Sequence, residues 1–453
     1  MPPPPPVKSN LFSKTSFTSN SSSSASFDED IVSNLNLVEV IKDRLYFGVF
    51  SKPPAPVDGF HFFSTDRAIL YWNFFLDFGP MNLGQTYRFC EMVEDKLTRF
   101  PGSKIVYYCA NNGQRKANSI LLMCAYSLIV LGQTAEQAYK PFSHFSLPPF
   151  HDATPVACTY DLRVFDCLKG MERAKKLGFL QFETFDVEEY EHFEKVESGD
   201  LSWIFPGKFV AFAGPHEVKS YDEQCPTCVP EDYIPYFLEK KVTLVIRLNK
   251  RYYDENRFKA KGIDHIDLYY PDGSCPSDDI LDKFLQICES RPKEEAIAVH
   301  CKAGLGRTGT CIGAYAMKHW GFTAAEIIGW MRVARPGSVI GPQQHYMESI
   351  QDKMHRTFEI PHSIRRAKTP VVSVLSNKPT AVTPFQSNAE EEYDGEKSQG
   401  DHLLTAKVHS PASPNLRKSL IIANDETSNF MAAQSSPTTF FRGVARKLYG
   451  VGK

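Results

Sequence analysis

Along the middle of the chain, apolar runs of four to six residues alternate with longer stretches whose apolar positions recur at helical spacing. The short runs Leu45–Val49, Lys104–Tyr108, Phe209–Ala213, Val242–Arg247 and Ala296–Val299 predict buried strands. Ser119–Leu131 is the most apolar run; at 13 residues it falls short of the roughly 18 a membrane span needs, so a buried helix is expected. Thr159–Leu180 and Ile280–Ile287 carry helical periodicity. Strands alternating with helices predict an α/β fold.

The pattern occurs twice. Lys104–Tyr108, Cys109, CAY at 124–126 and TAE at 134–136 parallel Ala296–His300, Cys301, GAY at 313–315 and TAA at 323–325. Each half reads strand, Cys, loop, apolar helix, Thr-started helix. Matching the cysteines gives an offset of 192 residues and matching the later helices 189, so the first loop is expected to be about three residues longer. Cys109 has its own Cys-x5-Arg with Arg115, but Lys116 stands where the second copy has Thr308, and Asn111-Asn112 replace its loop residues. Cys109 is read as non-catalytic.

The second copy carries the chemistry. Ala296–Val299 ends at His300-Cys301, and Lys302, Ala303, Gly304, Leu305 and Gly306 lead to Arg307-Thr308 and a helix. A cysteine between a strand and a helix N-terminus faces backbone N–H groups and the positive end of the helix dipole, which favour its thiolate. Cys301 is therefore the candidate nucleophile toward phosphorus. The loop amides can cradle phosphoryl oxygens, Gly304 and Gly306 permitting the turn, and Arg307 can bind two of those oxygens. Thr308 can donate its hydroxyl to the sulfur. The departing oxygen needs a proton, and Asp272 in a Pro-Asp-Gly turn is the candidate acid; Asp278 and Asp279 precede a helix and read as capping carboxylates. Gln343, beside Gln344, is a candidate for placing the hydrolytic water.

Composition narrows the class. The chain has 453 residues, 42% hydrophobic, enough for more than one core, and a net charge of −2 gives no bulk attraction for nucleic acid. Eleven cysteines without regular spacing suggest free thiols in a reducing compartment, and a lone CxxC at Cys225 and Cys228 lacks the second pair a zinc site needs. No cofactor or metal is called for. The reading divides the chain into a disordered arm (1–35), a first domain (36–154), a helical acidic linker (155–200), a second domain (201–356) and a disordered regulatory tail (357–453) with Ser/Thr-Pro sites at Thr369, Thr383, Ser410, Ser413 and Ser436. In the linker, Glu188, Glu191 and Glu194 would share a helix face and form a negative groove for substrates with Lys or Arg near the phosphate.

The loop HCKAGLGRTGT resembles that of the protein tyrosine and dual-specificity phosphatase superfamily. Together with DFGPMNLGQTYRFC, VIRLNKRYYD, RPGSVIGPQQ and EYEHFEKVESGDLSW, the chain from about Leu37 to Met354 resembles the cell-division-cycle fourteen family. The resemblance implies two tandem phosphatase-like domains, each a central mixed sheet flanked by helices, the first inactive. It also implies action on phosphoserine/threonine-proline sites set by cyclin-dependent kinases and followed by a basic residue, through a cysteinyl-phosphate. In that family Cys301 is the nucleophile, Arg307 binds phosphate, Asp272 is the acid, and Glu191 and Glu194 line the groove. Localisation to nucleus and cytoplasm, with centrosome, spindle or basal body, is an expectation of the same kind.

Two other readings stand beside it. A phosphoinositide phosphatase would carry a second lysine where Leu305 stands. A phosphoprotein-binding pseudophosphatase would not need Cys301, Asp272, Arg307 and Thr308 together.

Overall fold

The computed structural model describes residues 30–221, 227–356 and 398–409. The first sheet has the order β1-β2-β4-β3, from β1 (Val38–Ile41), β2 (Leu45–Phe50), β3 (Phe60–Phe63) and β4 (Lys104–Ala110). β1 and β2 are antiparallel, while β2 and β3 flank β4 in parallel. Helices α1 (Leu83–Arg99), α2 (Gly113–Ile129) and α3 (Ala135–Tyr139) accompany it. The apolar run 119–131 is thus mostly α2, buried from Ala117 to Ile129. Among the described residues no helix is long and apolar enough to cross a membrane.

Between the sheets lie α4 (Val164–Lys176) and α5 (Val187–Phe193). The second sheet has the order β5-β6-β9-β7-β8, from β5 (Leu201–Phe205), β6 (Phe209–Phe212), β7 (Val242–Arg247), β8 (Asp264–Asp267) and β9 (Ala296–His300). Only the β5–β6 pair is antiparallel. Its helices are α6 (Pro230–Glu239), α7 (Asn256–Lys259), α8 (Asp278–Glu289), α9 (Gly306–Trp320), α10 (Ala324–Ala334) and α11 (Pro342–His355). The internal repeat is therefore topological. In each sheet an antiparallel hairpin pairs through its second strand with a central strand that runs into the cysteine. Among the described residues the first sheet has no counterpart of β8, the strand that leads into the Asp272 turn.

The loop-length expectation is corrected. α2 begins four residues after Cys109, and α9 five residues after Cys301. The first loop is shorter, and the changed offset arises inside the helix, where eleven residues of α2 (113–123) precede Cys124 against seven of α9 (306–312) before Gly313. In both copies a threonine caps the next helix: Thr134 with Gln137, and Thr323 with Glu326.

α4 joins the halves. A Cβ on Gly170 would lie 2.2 Å from the Glu326 carbonyl oxygen, and one on Gly329 would lie 2.7 Å from the Cys167 Cα, so glycines let α4 and α10 approach backbone to backbone. One apolar cluster runs from Phe47 and Tyr107 through Cys167 and Met171 to Ile327, Trp330 and Val299.

Two expected boundaries change. The arm drawn to residue 35 ends in a helical turn, with Ile31 and Val32 packed against Tyr46, Phe60 and Val106. Within the tail drawn as disordered, residues 399–409 form helix α12 (Gln399–His409), because Leu403 finds a buried apolar seat. The five Ser/Thr-Pro sites and Cys225 lie outside the described residues.

Candidate active site

β9, all five residues buried, is the central strand of the second sheet and delivers Cys301 at its C-terminal end. His300 is sealed beneath it. Its Nδ1 lies 2.9 Å from the Cys301 carbonyl oxygen and its Nε2 2.8 Å from the Tyr253 hydroxyl, which also lies 2.7 Å from His265 Nε2. Burial pushes the His300 imidazole down to about 3, so it holds the strand end as a neutral group.

The loop after Cys301 is held from behind. Arg335 donates from Nε to the Gly304 carbonyl (2.9 Å) and from Nη2 to the Ala303 carbonyl (3.0 Å), while Gly214 N donates to the Lys302 carbonyl (2.9 Å). With three successive carbonyls anchored outward, the loop's amides are free to face an anion. Gly304 lies at φ +67°, and a Cβ there would fall 2.0 Å from the Phe212 carbonyl oxygen. Arg335 is itself fully buried and pairs with the buried Asp200 at 2.8 Å. Arg335 opens the RPGSVIGPQQ stretch and Asp200 lies in EYEHFEKVESGDLSW, but neither residue's part in the site is expected from the sequence.

Arg307 and Asp272 meet, Nη2 to Oδ1, at 3.0 Å. Arg307 Nη1 also donates to the Tyr270 carbonyl (2.9 Å), and the Tyr270 hydroxyl returns a bond to the Arg307 carbonyl (3.0 Å), tying the Asp272 turn to the start of α9. Gln343 bridges the same two segments: Nε2 donates to the Ser274 carbonyl (3.1 Å), Oε1 accepts from Ile340 N (3.1 Å), and a Cβ on Gly306 would lie 2.8 Å from that oxygen. Gln344 is used elsewhere, accepting from Arg332 at 2.6 Å. Thr308 Oγ1 is buried with no hydrogen-bond partner among the described residues. Asp278 and Asp279 open α8 behind its cap Ser277, with Asp278 exposed and paired to Lys353.

The three linker glutamates separate. Glu191 is held at both oxygens by Arg88, at 3.0 Å each, so it braces the first domain against the linker. Glu188 is exposed in the first turn of α5. Glu194 accepts from Asn82 at 2.8 Å and lies close enough to Asp200 and Lys407 for both to act on its charge; burial pushes its carboxyl up. The bend after α5 brings Glu194 and Asp200 together as an acidic spot, while Glu191 meets Arg88 and Glu188 is exposed. Burial opposes the Asp200 charge, but Arg335 and Lys407 outweigh it and hold the carboxyl below its usual range.

At the corresponding place in the first domain, Ala110 N donates to Asp66 (2.7 Å) and Arg115 pairs with that same oxygen (3.2 Å). Burial pushes the Cys109 thiol up to about 12. An inward carboxylate stands where the second copy keeps its amides free, so this loop does not reproduce the anion cradle.

Strand, cysteine loop, helix and facing aspartate turn define the fold class of the cysteine-based phosphatases. Residues 39–174 match the family described as dual specificity protein phosphatase, N-terminal half, and residues 224–321 match one described as polymorphic toxin system, DSP-PTPase phosphatase. The dual specificity protein phosphatase CDC14AB of Danio rerio is 45% identical over 391 residues, covering 82% of this chain and 64% of that protein. Human CDC14A is 50% identical over 318 residues (69% and 53%), and human CDC14C 46% identical over 318 residues (69% and 71%). The chain belongs to the CDC14 family of dual-specificity protein phosphatases. It spans between about half and two thirds of the length of the first two relatives.

Proposed function

We propose that the chain is a protein phosphatase that removes phosphate from serine/threonine-proline sites, and from phosphotyrosine, through a cysteinyl-phosphate. The observation that carries this is the junction of Arg307 and Asp272 at 3.0 Å on the loop that starts at Cys301. The Cys301 thiolate attacks phosphorus and the P–O bond to the side chain breaks. Asp272 protonates the departing oxygen. Arg307, taken up by the phosphoryl oxygens, releases Asp272 from its ion pair as substrate arrives. In the second step water attacks phosphorus, forming a P–O bond as the S–P bond breaks; Asp272 accepts its proton, the Gln343 amide positions it, and Thr308 donates a hydrogen bond to the departing sulfur.

For substrate choice, we propose a phosphoserine-proline core followed by a basic residue, as left by proline-directed, cyclin-dependent kinases in cell division. The acidic spot supports this reading: Asp200 Oδ2 is buried without a hydrogen-bond partner among the described residues, and Asp200 Oδ1 accepts from a lysine, Lys407. Nuclear and cytoplasmic location, with the centrosome, spindle or basal body, belongs to the same proposal. The test is initial rate on phosphoserine-Pro-x-Lys, phosphothreonine-Pro-x-Lys, phosphotyrosine and phosphoserine-Ala peptides and a soluble phosphoinositide, with Cys301→Ser as blank. The serine-proline-lysine peptide should turn over fastest. A faster phosphoinositide would overturn the substrate class, and no turnover at all would overturn the enzyme.

A further inference from the structure

The turn that carries Gln343 is held in a conformation its own residues do not favour. Val339, fully buried and β-branched, sits at φ +60°, and Gly341 at φ +55° and ψ −127°. A β-branched residue rarely enters the left-handed region, and such a conformation persists only where the surroundings impose it. One restraint comes from the second domain itself: buried Arg332 donates from Nε to the Ser338 carbonyl (3.0 Å) and from Nη2 to the Val339 carbonyl (2.8 Å). The other comes from the first domain. Gly341 N donates to Asp152 Oδ2 (2.7 Å), across 189 positions of chain.

Asp152 is 2% exposed and is itself fixed on its own side. Its Oδ1 accepts from the Thr154 hydroxyl (3.1 Å), and the Thr154 amide donates to the Asp152 carbonyl oxygen (2.7 Å). His151 Nε2 accepts from Cys158 N (3.1 Å), so the ring's proton sits on Nδ1 and points at the Asp152 carbonyl oxygen, 2.6 Å away.

We infer that Asp152 is a positioning residue for phosphoenzyme hydrolysis: the first domain, whose own cysteine loop does not form the anion cradle, lends the second domain the carboxylate that fixes the Gln343 turn. The inference rests on the proposed reading of Cys301 as the phosphorylated residue and of Gln343 as the residue that positions water. The geometry connects Asp152 to that step through one short stretch of backbone. Asp152 holds Gly341 N, and on either side of Gly341 the Ile340 amide donates to Gln343 Oε1 while Gln343 Nε2 donates to the Ser274 carbonyl. With Gly341 released, Val339 and Gly341 are free to leave positive φ, and the Ile340 amide on which the Gln343 side chain is aligned moves with them. The Asp272 turn is tied by other groups, Arg307 to Asp272 and to the Tyr270 carbonyl, so phosphoenzyme formation does not run through Asp152.

The experiment times the two half-reactions separately in the full chain, with radiolabelled serine-proline-lysine phosphopeptide, rapid acid quench and a chase of unlabelled peptide. In Asp152→Ala the phosphoenzyme should break down on the order of tenfold more slowly and accumulate, while its formation changes by less than about twofold. Asp152→Asn, whose amide oxygen can still accept from Gly341 N, should return breakdown to within about twofold of the parent. Asp152→Ala added to Gln343→Ala should slow breakdown no further, because the residue it acts through is already gone. Thr154→Val, which removes one hydrogen bond from the carboxylate and keeps the side-chain shape, reads the same step without emptying the Asp152 position; a roughly two- to threefold slowing of breakdown is expected. Equal losses in formation and breakdown, a loss in Asp152→Asn as large as in Asp152→Ala, or an undiminished further loss in the Gln343→Ala background each overturn the inference and leave the phosphatase reading intact. Breakdown at the parent rate in both Asp152→Ala and Thr154→Val overturns it as well. No label on the parent chain at all overturns the phosphatase reading, and the inference with it.

Discussion

Arg335 offers the sharpest test of how the site is held. Its guanidinium is buried with a counter-charge, Asp200, and it donates to the carbonyls of Ala303 and Gly304 and to Ser202 Oγ (3.3 Å). Arg335→Met fills similar volume but strands a buried carboxylate, left with Lys407 alone, and frees two loop carbonyls. A lone neutral hydrogen bond is worth about 1 kcal/mol, whereas removing one partner of a buried ion pair costs about 3–5 kcal/mol. At about 1–2 °C per kcal/mol for a folded part of more than about 300 residues, the thermal midpoint should fall by roughly 5 °C. Asp200→Asn in the same background should recover part of that loss, because the stranded charge goes with it; a coupling of about 1–3 kcal/mol is expected. Circular dichroism melts of the four proteins give the cycle, with phosphopeptide rates alongside. A midpoint for Arg335→Met within about 2 °C of the parent would refute the assignment of Arg335 as the brace of the loop.

Asp272→Ala should slow hydrolysis of a phosphoserine peptide by about 100-fold or more but an aryl phosphate with an acidic leaving group far less; equal losses on both would remove Asp272 as the acid. Asp200→Asn should raise KM for the lysine-containing peptide about tenfold more than it raises KM for a small aryl phosphate; equal effects on the two would dismiss the acidic spot. Stability should fall as pH drops below about 6.5. Burial holds His300 near 3 and His265 near 4 in the folded chain against 6.5 unfolded, so between those values the unfolded state binds more protons, at up to about 1.4 kcal/mol per pH unit for each group. Urea midpoints that do not differ between pH 7.5 and 5.5 would contradict this.

Reading the sequence reached what is local in it. β9, the Cys301 loop, Arg307 and α9 are contiguous, and Pro271-Asp272-Gly273 announces its own turn, so the centre of the site was legible. The capping threonines of α3 and α10, Thr134 and Thr323, were equally local. What escaped depends on contacts across the fold. Arg335 and Asp200 lie 135 positions apart, and nothing in either neighbourhood announces the pair. Glu191 has the helical spacing of a groove residue but is claimed by Arg88 from the first domain, 103 positions away. The first-copy loop was judged too long because a sequence offset cannot say whether added residues fall in a loop or extend a helix, as they do in α2. α12 has only Leu403 and Leu404 as consecutive apolar anchors, too little periodicity to read as a helix, and its stability comes from the seat it finds on the second domain.

The most direct measurement is acid-quenched trapping of the phosphoenzyme. Radiolabelled serine-proline-lysine phosphopeptide is mixed with the full chain, quenched within milliseconds, and the labelled residue is mapped by peptide sequencing. The account predicts label on Cys301, absent in Cys301→Ser, and accumulating in Gln343→Ala as its hydrolysis slows. Phosphate release with no label on Cys301, or undiminished turnover by Cys301→Ser, would contradict it.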